Sequence, residues 1–75
     1  GGASEDVLQA IWRRITPGTR LVANAVALET QALLIRWHGM HGGQLLRIDL
    51  AQAAPLGTMQ GWHPSRPQLQ WSVTR

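Results

Sequence analysis

Cysteine and lysine are both absent from these 75 residues. Without cysteine there is no disulfide and no thiolate zinc site. His38 and His41 are the only closely spaced histidines, and no acidic residue sits beside them, so no metal site is expected. No apolar run approaches the roughly 20 residues of a membrane-spanning helix. The first four residues, Gly-Gly-Ala-Ser, run into Glu5 and Asp6 with neither a basic region nor an apolar core. That is not a secretory signal, and cytoplasm is the default compartment. A domain of this length buries only about 60% of the surface its unfolded chain exposes. Lacking a staple, it needs a partner more often than a larger domain does.

What charge there is comes from arginine, which carries the whole net charge of +3 at pH 7. A GC-rich genome favours arginine and alanine codons and accounts for this blandly. The functional alternative is a basic surface for an anionic partner. The arginines are scattered along the chain rather than clustered, which argues against nucleic acid. A substrate bearing several carboxylates suits a mild positive balance.

Residues 4 to 15 read as a helix, with Ser4 as N-cap and Glu5 and Asp6 at the positive end of the dipole. Val7, Leu8, Ile11, Trp12 and Ile15 recur at helical spacing. Pro17-Gly18 then turns the chain. Residues 20 to 28 are apolar without alternation, as in a parallel strand covered on both faces. Periodicity alone also fits a buried helix; the preceding turn and the valines favour a strand. A second helix is expected over 30 to 41, ended by Gly42-Gly43. Residues 44 to 51 alternate, with Leu46, Ile48 and Leu50 on one face, as in a half-covered strand near a sheet edge. Residues 55 to 67 hold Pro55, Pro64, Pro67 and two glycines, and read as a long loop. Leu69, Trp71 and Val73 mark a last alternating strand over 68 to 74. A strand-helix-strand crossover implies parallel strands. The last strand follows no helix and is expected to return antiparallel. The whole reads as the tail of an α/β sheet that lacks its beginning.

At this point the residues resemble a known family. Pro17-Gly18-Thr19-Arg20-Leu21-Val22-Ala23-Asn24-Ala25-Val26-Ala27-Leu28-Glu29 is similar to a segment of the methylating and decarboxylating precorrin-6Y enzymes. So is Trp37-His38-Gly39-Met40-His41-Gly42-Gly43, and so are Pro55-Leu56-Gly57, Gly61-Trp62, Pro67 and Gln70-Trp71, in order and with matching spacing. The resemblance implies the C-terminal part of a class I S-adenosylmethionine-dependent methyltransferase sheet, Rossmann-like, with a final antiparallel strand. It implies one fragment of a single domain over residues 1 to 75, too short to work alone. It also implies a tetrapyrrole substrate methylated at carbons 5 and 15 and decarboxylated at an acetate side chain in cobalamin biosynthesis. S-adenosylmethionine would be the methyl donor. Partners would be the missing N-terminal part of the same domain and further copies in a homo-oligomer.

Asn24 is the leading catalytic candidate. Ligands of open α/β sheets bind at the carboxyl ends of strands, and an amide in an apolar strand is costly unless hydrogen-bonded. A structural amide capping a loop is the alternative. Glu29 and Thr30 follow that strand end and are candidates to line a substrate pocket, or else to cap the second helix. Gly1 and Gly2 resemble the glycine loop on the cofactor side in the family, although a cloning remnant would look the same. Trp62, His63 and Arg66 are candidates to contact substrate carboxylates, because loops carry function more often than cores do. Here the chain departs from the family, which has arginine where His63 stands and differs again over Ser65 to Leu69. The glycine-rich loop and the acidic strand end that normally hold the cofactor are not in these residues. Trp12, Trp37 and Trp71 are expected in the core. A free-standing binding module for an acidic partner is the competing reading.

Overall fold

The computed structural model describes residues 4–75. Its first helix, α1, spans Glu5–Arg14 and begins as the sequence predicts. The Ser4 hydroxyl accepts a hydrogen bond from the Val7 backbone N–H at 3.3 Å, and Arg13 and Arg14 occupy the last turn. Only Leu8 of its apolar stripe is fully buried, with Trp12 and Ile15 half-buried and Val7 and Ile11 exposed. The stripe is wider than the surface it meets among the described residues.

Strand β1 (Arg20–Ala25) leads into helix α2 (Leu28–His41) and then strand β2 (Gln44–Ile48). The last strand, β5 (Gln68–Thr74), inserts between them, so the sheet order is β1-β5-β2. Both neighbours are antiparallel to β5 and hence parallel to each other, as the crossover requires. The expected antiparallel return is present, and it lies at the centre of the three strands.

One face of this sheet is closed. Leu21, Ala23 and Ala25 of β1 lie opposite Val73, Trp71 and Leu69 of β5, and Leu45 of β2 also lies opposite Trp71. Leu33, Leu34 and Trp37 of α2 and Leu8 of α1 pack onto that layer. Trp71 is completely buried, and its indole N–H donates to the Gly42 carbonyl at 2.8 Å. Trp12 and Trp37 lie around it with ring centroids 6.3 and 6.2 Å away. His41 joins the aromatic cluster, 4.4 Å from Trp12. The three core tryptophans are placed as expected, with Trp12 half-buried at the margin.

The opposite face is open among the described residues. Val22, Val26 and Leu46 are 47%, 43% and 54% exposed. β1 therefore alternates in burial, as expected where its neighbours among these residues cover only one face of the apolar run. Both helices lie on one side of the sheet.

The sequence reading of a long loop over 55 to 67 is corrected. Strands β3 (Ala51–Leu56) and β4 (Met59–Pro64) form a separate two-stranded antiparallel hairpin. Gly57, at φ 61°, opens its two-residue turn. Glycine at φ > 0 beginning a two-residue loop is a hairpin signal. Pro55 and Pro64 are tolerated because each strand has a free edge, where no N–H is needed. The strand expected over 44 to 51 accordingly stops at Ile48, and α2 begins at Leu28 rather than Thr30. None of the described helices is long and apolar enough to cross a membrane.

Gly42 and Gly43 both have positive φ, at 75° and 88°. At Gly43 the sheet also leaves no room: an added Cβ would collide with the Ser72 carbonyl oxygen and lie 2.8 Å from the Val73 Cβ. Gly39, inside α2, meets nothing within 4 Å. Gly43→Ala is expected to destabilise the protein by about 1–3 kcal/mol or more. Gly39→Ala should be neutral or stabilising by roughly 0.5–1 kcal/mol. Denaturant unfolding of the two variants beside wild type checks the contrast.

Candidate functional site

The short crossing from β1 to α2 builds a concave site of about 530 Å³. It is lined by Asn24, Ala25, Val26, Ala27 and Thr30 from the β1–α2 segment, and by Arg66, Pro67 and Gln68 from the approach to β5. This is the carboxyl end of β1, where open α/β sheets bind ligands. Alternation along β1 explains its make-up. With Ala25 directed at the helices, Asn24 and Val26 fall on the open face, and the amide escapes the core.

Two glutamines hold the corner. Gln31, in the first turns of α2, donates its side-chain N–H to the Ala25 and Val26 carbonyls, each at 3.3 Å. Gln70 donates its side-chain N–H to the Asn24 carboxamide oxygen at 3.1 Å. The two residues are direct cross-strand partners in the β1–β5 ladder. Asn24 is therefore neither unpaired nor a loop cap.

The polarity of the site is that of a donor-rich cleft. Arg66 brings a guanidinium and Thr30 a hydroxyl. Asn24 keeps its NH2 group, since its oxygen is engaged by Gln70. The N-cap of α2 is Ala27, which provides no side-chain cap. The first N–H groups of a helix have no intrahelical acceptor, and they carry the positive end of its dipole. Such groups favour an anion. Glu29 lies in the same first turn but outside the lining, exposed to solvent.

The structure thus brings together Asn24, Thr30 and Arg66 from the sequence candidates. It separates Trp62 and His63 from them. Both lie on β4, and Trp62 is 77% exposed. Gly1 and Gly2 lie outside the described residues. Sequence reasoning missed Gln31, Gln70 and Gln68. The "QW" pair was visible as a motif, but only the strand register shows Gln70 opposite Asn24.

The glycines with positive φ do not form a cofactor cradle. Gly18, Gly42 and Gly43 precede β1 and β2, at the opposite end of the parallel strands, and Gly57 is at the hairpin turn. Among the described residues there is no group of three or more His, Cys, Asp or Glu able to hold a metal ion. The described residues fit an anionic group at the β1 end and do not by themselves fit S-adenosylmethionine.

Two parallel strands joined by a helix, with the final strand returning antiparallel between them, form the closing end of a class I methyltransferase sheet. Within that class, a family model described as "Precorrin methyltransferase domain" matches residues 1–75, and the chain belongs to this family. It is 49% identical over 76 positions to the precorrin-6Y C(5,15)-methyltransferase [decarboxylating] of Sinorhizobium sp, covering all of this chain and 18% of that protein. It is 40% identical to the Mycobacterium tuberculosis (strain CDC 1551 / Oshkosh) protein of the same name, covering 20% of it. Among solved structures it is similar to the C-terminal domain of precorrin-6Y C5,15-methyltransferase from Rhodobacter capsulatus. There the TM-score is 0.94 at 60% identity, over all of this chain and 41% of that one. The chain spans about a fifth of the curated relatives' length.

Gln31 is expected to stabilise the β1–α2 corner. Gln31→Leu removes both donors and leaves the Ala25 and Val26 carbonyls to water. A loss of about 1 kcal/mol in unfolding free energy is expected, with the far-ultraviolet dichroism of the folded state unchanged.

Proposed function

We propose that these residues are the substrate-side end of an enzyme that methylates a precorrin at carbons 5 and 15 and decarboxylates an acetate side chain, in cobalamin biosynthesis. The observation that carries the reading is the convergence of Asn24, Thr30 and Arg66 with an uncapped helix start at the carboxyl end of β1. All four are hydrogen-bond donors. A precorrin presents several carboxylates around its ring, and the cleft is suited to grip one of them. Arg66 can engage a carboxylate with two parallel N–H···O bonds. Thr30 and Asn24 can each add one more.

Such a grip has chemical use. Methyl transfer requires the nucleophilic carbon to be held in line with the donor methyl, and alignment is the larger part of what an enzyme supplies there. S-adenosylmethionine supplies the methyl group when bound. Residues of this chain contribute orientation of the ring by one edge. Decarboxylation releases electrons into the conjugated macrocycle, and fixed donors at the edge of the ring help stabilise charge that develops there. A cytoplasmic location suits this chemistry.

The remainder of the protein would cover the open sheet face. Val22, Val26 and Leu46 are exposed there, and the outer edges of β1 and β2 are unpaired among the described residues. Each large aliphatic side chain left uncovered forfeits roughly 1.5–3 kcal/mol of burial. A free-standing binding module would bear that loss permanently, which favours one fragment of a single domain. The homo-oligomer implied by the family resemblance is supported by the β3–β4 hairpin. It exposes Leu56, Met59 and Trp62.

Asn24→Ala in the full-length enzyme tests the reading. Turnover of the precorrin should fall by about tenfold, the equivalent of one well-placed hydrogen bond. Affinity for S-adenosylmethionine, measured by calorimetric titration, should stay within about twofold of wild type. Wild-type turnover would remove Asn24 from the site.

A further inference from the structure

Asn24 adds a donor to the cleft only if it presents its NH2 group and not its oxygen. A carboxamide rotated by half a turn offers an acceptor instead, and an acceptor repels a carboxylate. Something must therefore set the rotation of the Asn24 side chain, which sits exposed on the open sheet face. Among the described residues a single side chain hydrogen-bonds to it: Gln70, whose Nε2 donates to the Asn24 oxygen at 3.1 Å.

Gln70 is placed to hold the Asn24 side chain. It lies on β5, the central strand, and its backbone pairs with Asn24 on one side and Leu46 on the other. It is half-buried, whereas Asn24 is exposed. It does not line the cleft. Its immediate neighbours in sequence, Leu69 and Trp71, are buried against the helices and anchor the strand on the opposite face.

We propose that Gln70 is a positioning residue for substrate binding. By donating to the Asn24 oxygen it holds the Asn24 NH2 group toward the cleft, keeping the site selective for an anionic group. This rests on the reading of the cleft given under Proposed function. It adds a residue that touches no substrate and acts only through Asn24.

The test is a double-mutant cycle in the full-length enzyme, with kcat and KM for the precorrin measured beside S-adenosylmethionine affinity and melting temperature. Gln70→Met keeps the length of the side chain and removes the donor. It should raise KM for the precorrin or lower kcat/KM by roughly three- to tenfold, the range of one hydrogen bond. S-adenosylmethionine affinity should not move. Gln70→Lys retains a donor and has no acceptor, so it can hold the amide only in the same sense and should recover most of the loss. On an Asn24→Ala background, Gln70→Met should cost nothing further.

The outcomes separate. If Asn24→Ala is impaired and Gln70→Met is not, the positioning role is overturned while the cleft stands. If the two losses multiply, or if lysine does no better than methionine, Gln70 acts independently of Asn24 and the proposal fails. If Asn24→Ala itself behaves as wild type, the cleft reading falls and takes this inference with it. Should Gln70→Met lower the melting temperature substantially, the comparison between lysine and methionine at matched folded fraction still decides.

Discussion

The structure depends on β5 lying in the middle of the sheet. β1 and β2 are not paired with each other, and each is joined to the sheet through its ladder with β5. Trp71 at its centre fills the space between the two flanking strands, the tryptophans of both helices, and the Gly42 carbonyl that ends α2. The last segment in sequence is thus the keystone in space. Until residues 68 to 74 arrive, the crossover from β1 through α2 to β2 has two strands with a gap between them. Contacts of such long sequence separation carry a loop-closure cost before they give any return. Arg75 extends the closure, with its backbone N–H on the Thr19 carbonyl at 3.0 Å and its carbonyl accepting from Gly18 at 2.7 Å.

Elements that announce themselves by periodicity were legible in the sequence. α1 and α2 appear within a residue or two of the expected bounds, as does β5: apolar positions at one clear period mark α1 and β5, and Gly42-Gly43 marks the end of α2. The hairpin was not. Its strands contain Pro55 and Pro64 and expose nearly every side chain, so neither alternation nor composition signals a sheet. The one available sign was Gly57-Thr58 between two short runs. β1 was legible as a strand, and its apolar run is covered on one face only by the described residues.

For the site, the sequence was informative to the extent that the residues are close along the chain. Asn24 and Thr30 flank one strand end, and their meeting follows from the strand-helix corner. Arg66 joins them only because the chain returns from the hairpin directly over that corner. Trp62 and His63 precede it by three or four positions and are carried away on β4. Gln70 was indistinguishable from any other polar residue of an alternating strand. Its role depends on register, and a register shift of one residue would place it against the helices.

That dependence gives the central strand two separate duties. Its odd positions, Leu69, Trp71 and Val73, are buried beneath the helices and hold the sheet together. Its even positions, Gln70 and Ser72, face the opposite way, and Gln70 reaches Asn24 at the mouth of the cleft. A pleated strand separates these faces by geometry alone. The same five residues therefore join the tryptophan cluster on one face to an amide on the other through the backbone of one strand. The cleft is exposed, yet its Asn24 wall belongs to a strand whose flanking residues, Ala23 and Ala25, pair with the buried Trp71 and Leu69. The proposed grip on a large ring by one edge calls for that combination: an open approach for the substrate, and a wall held from behind.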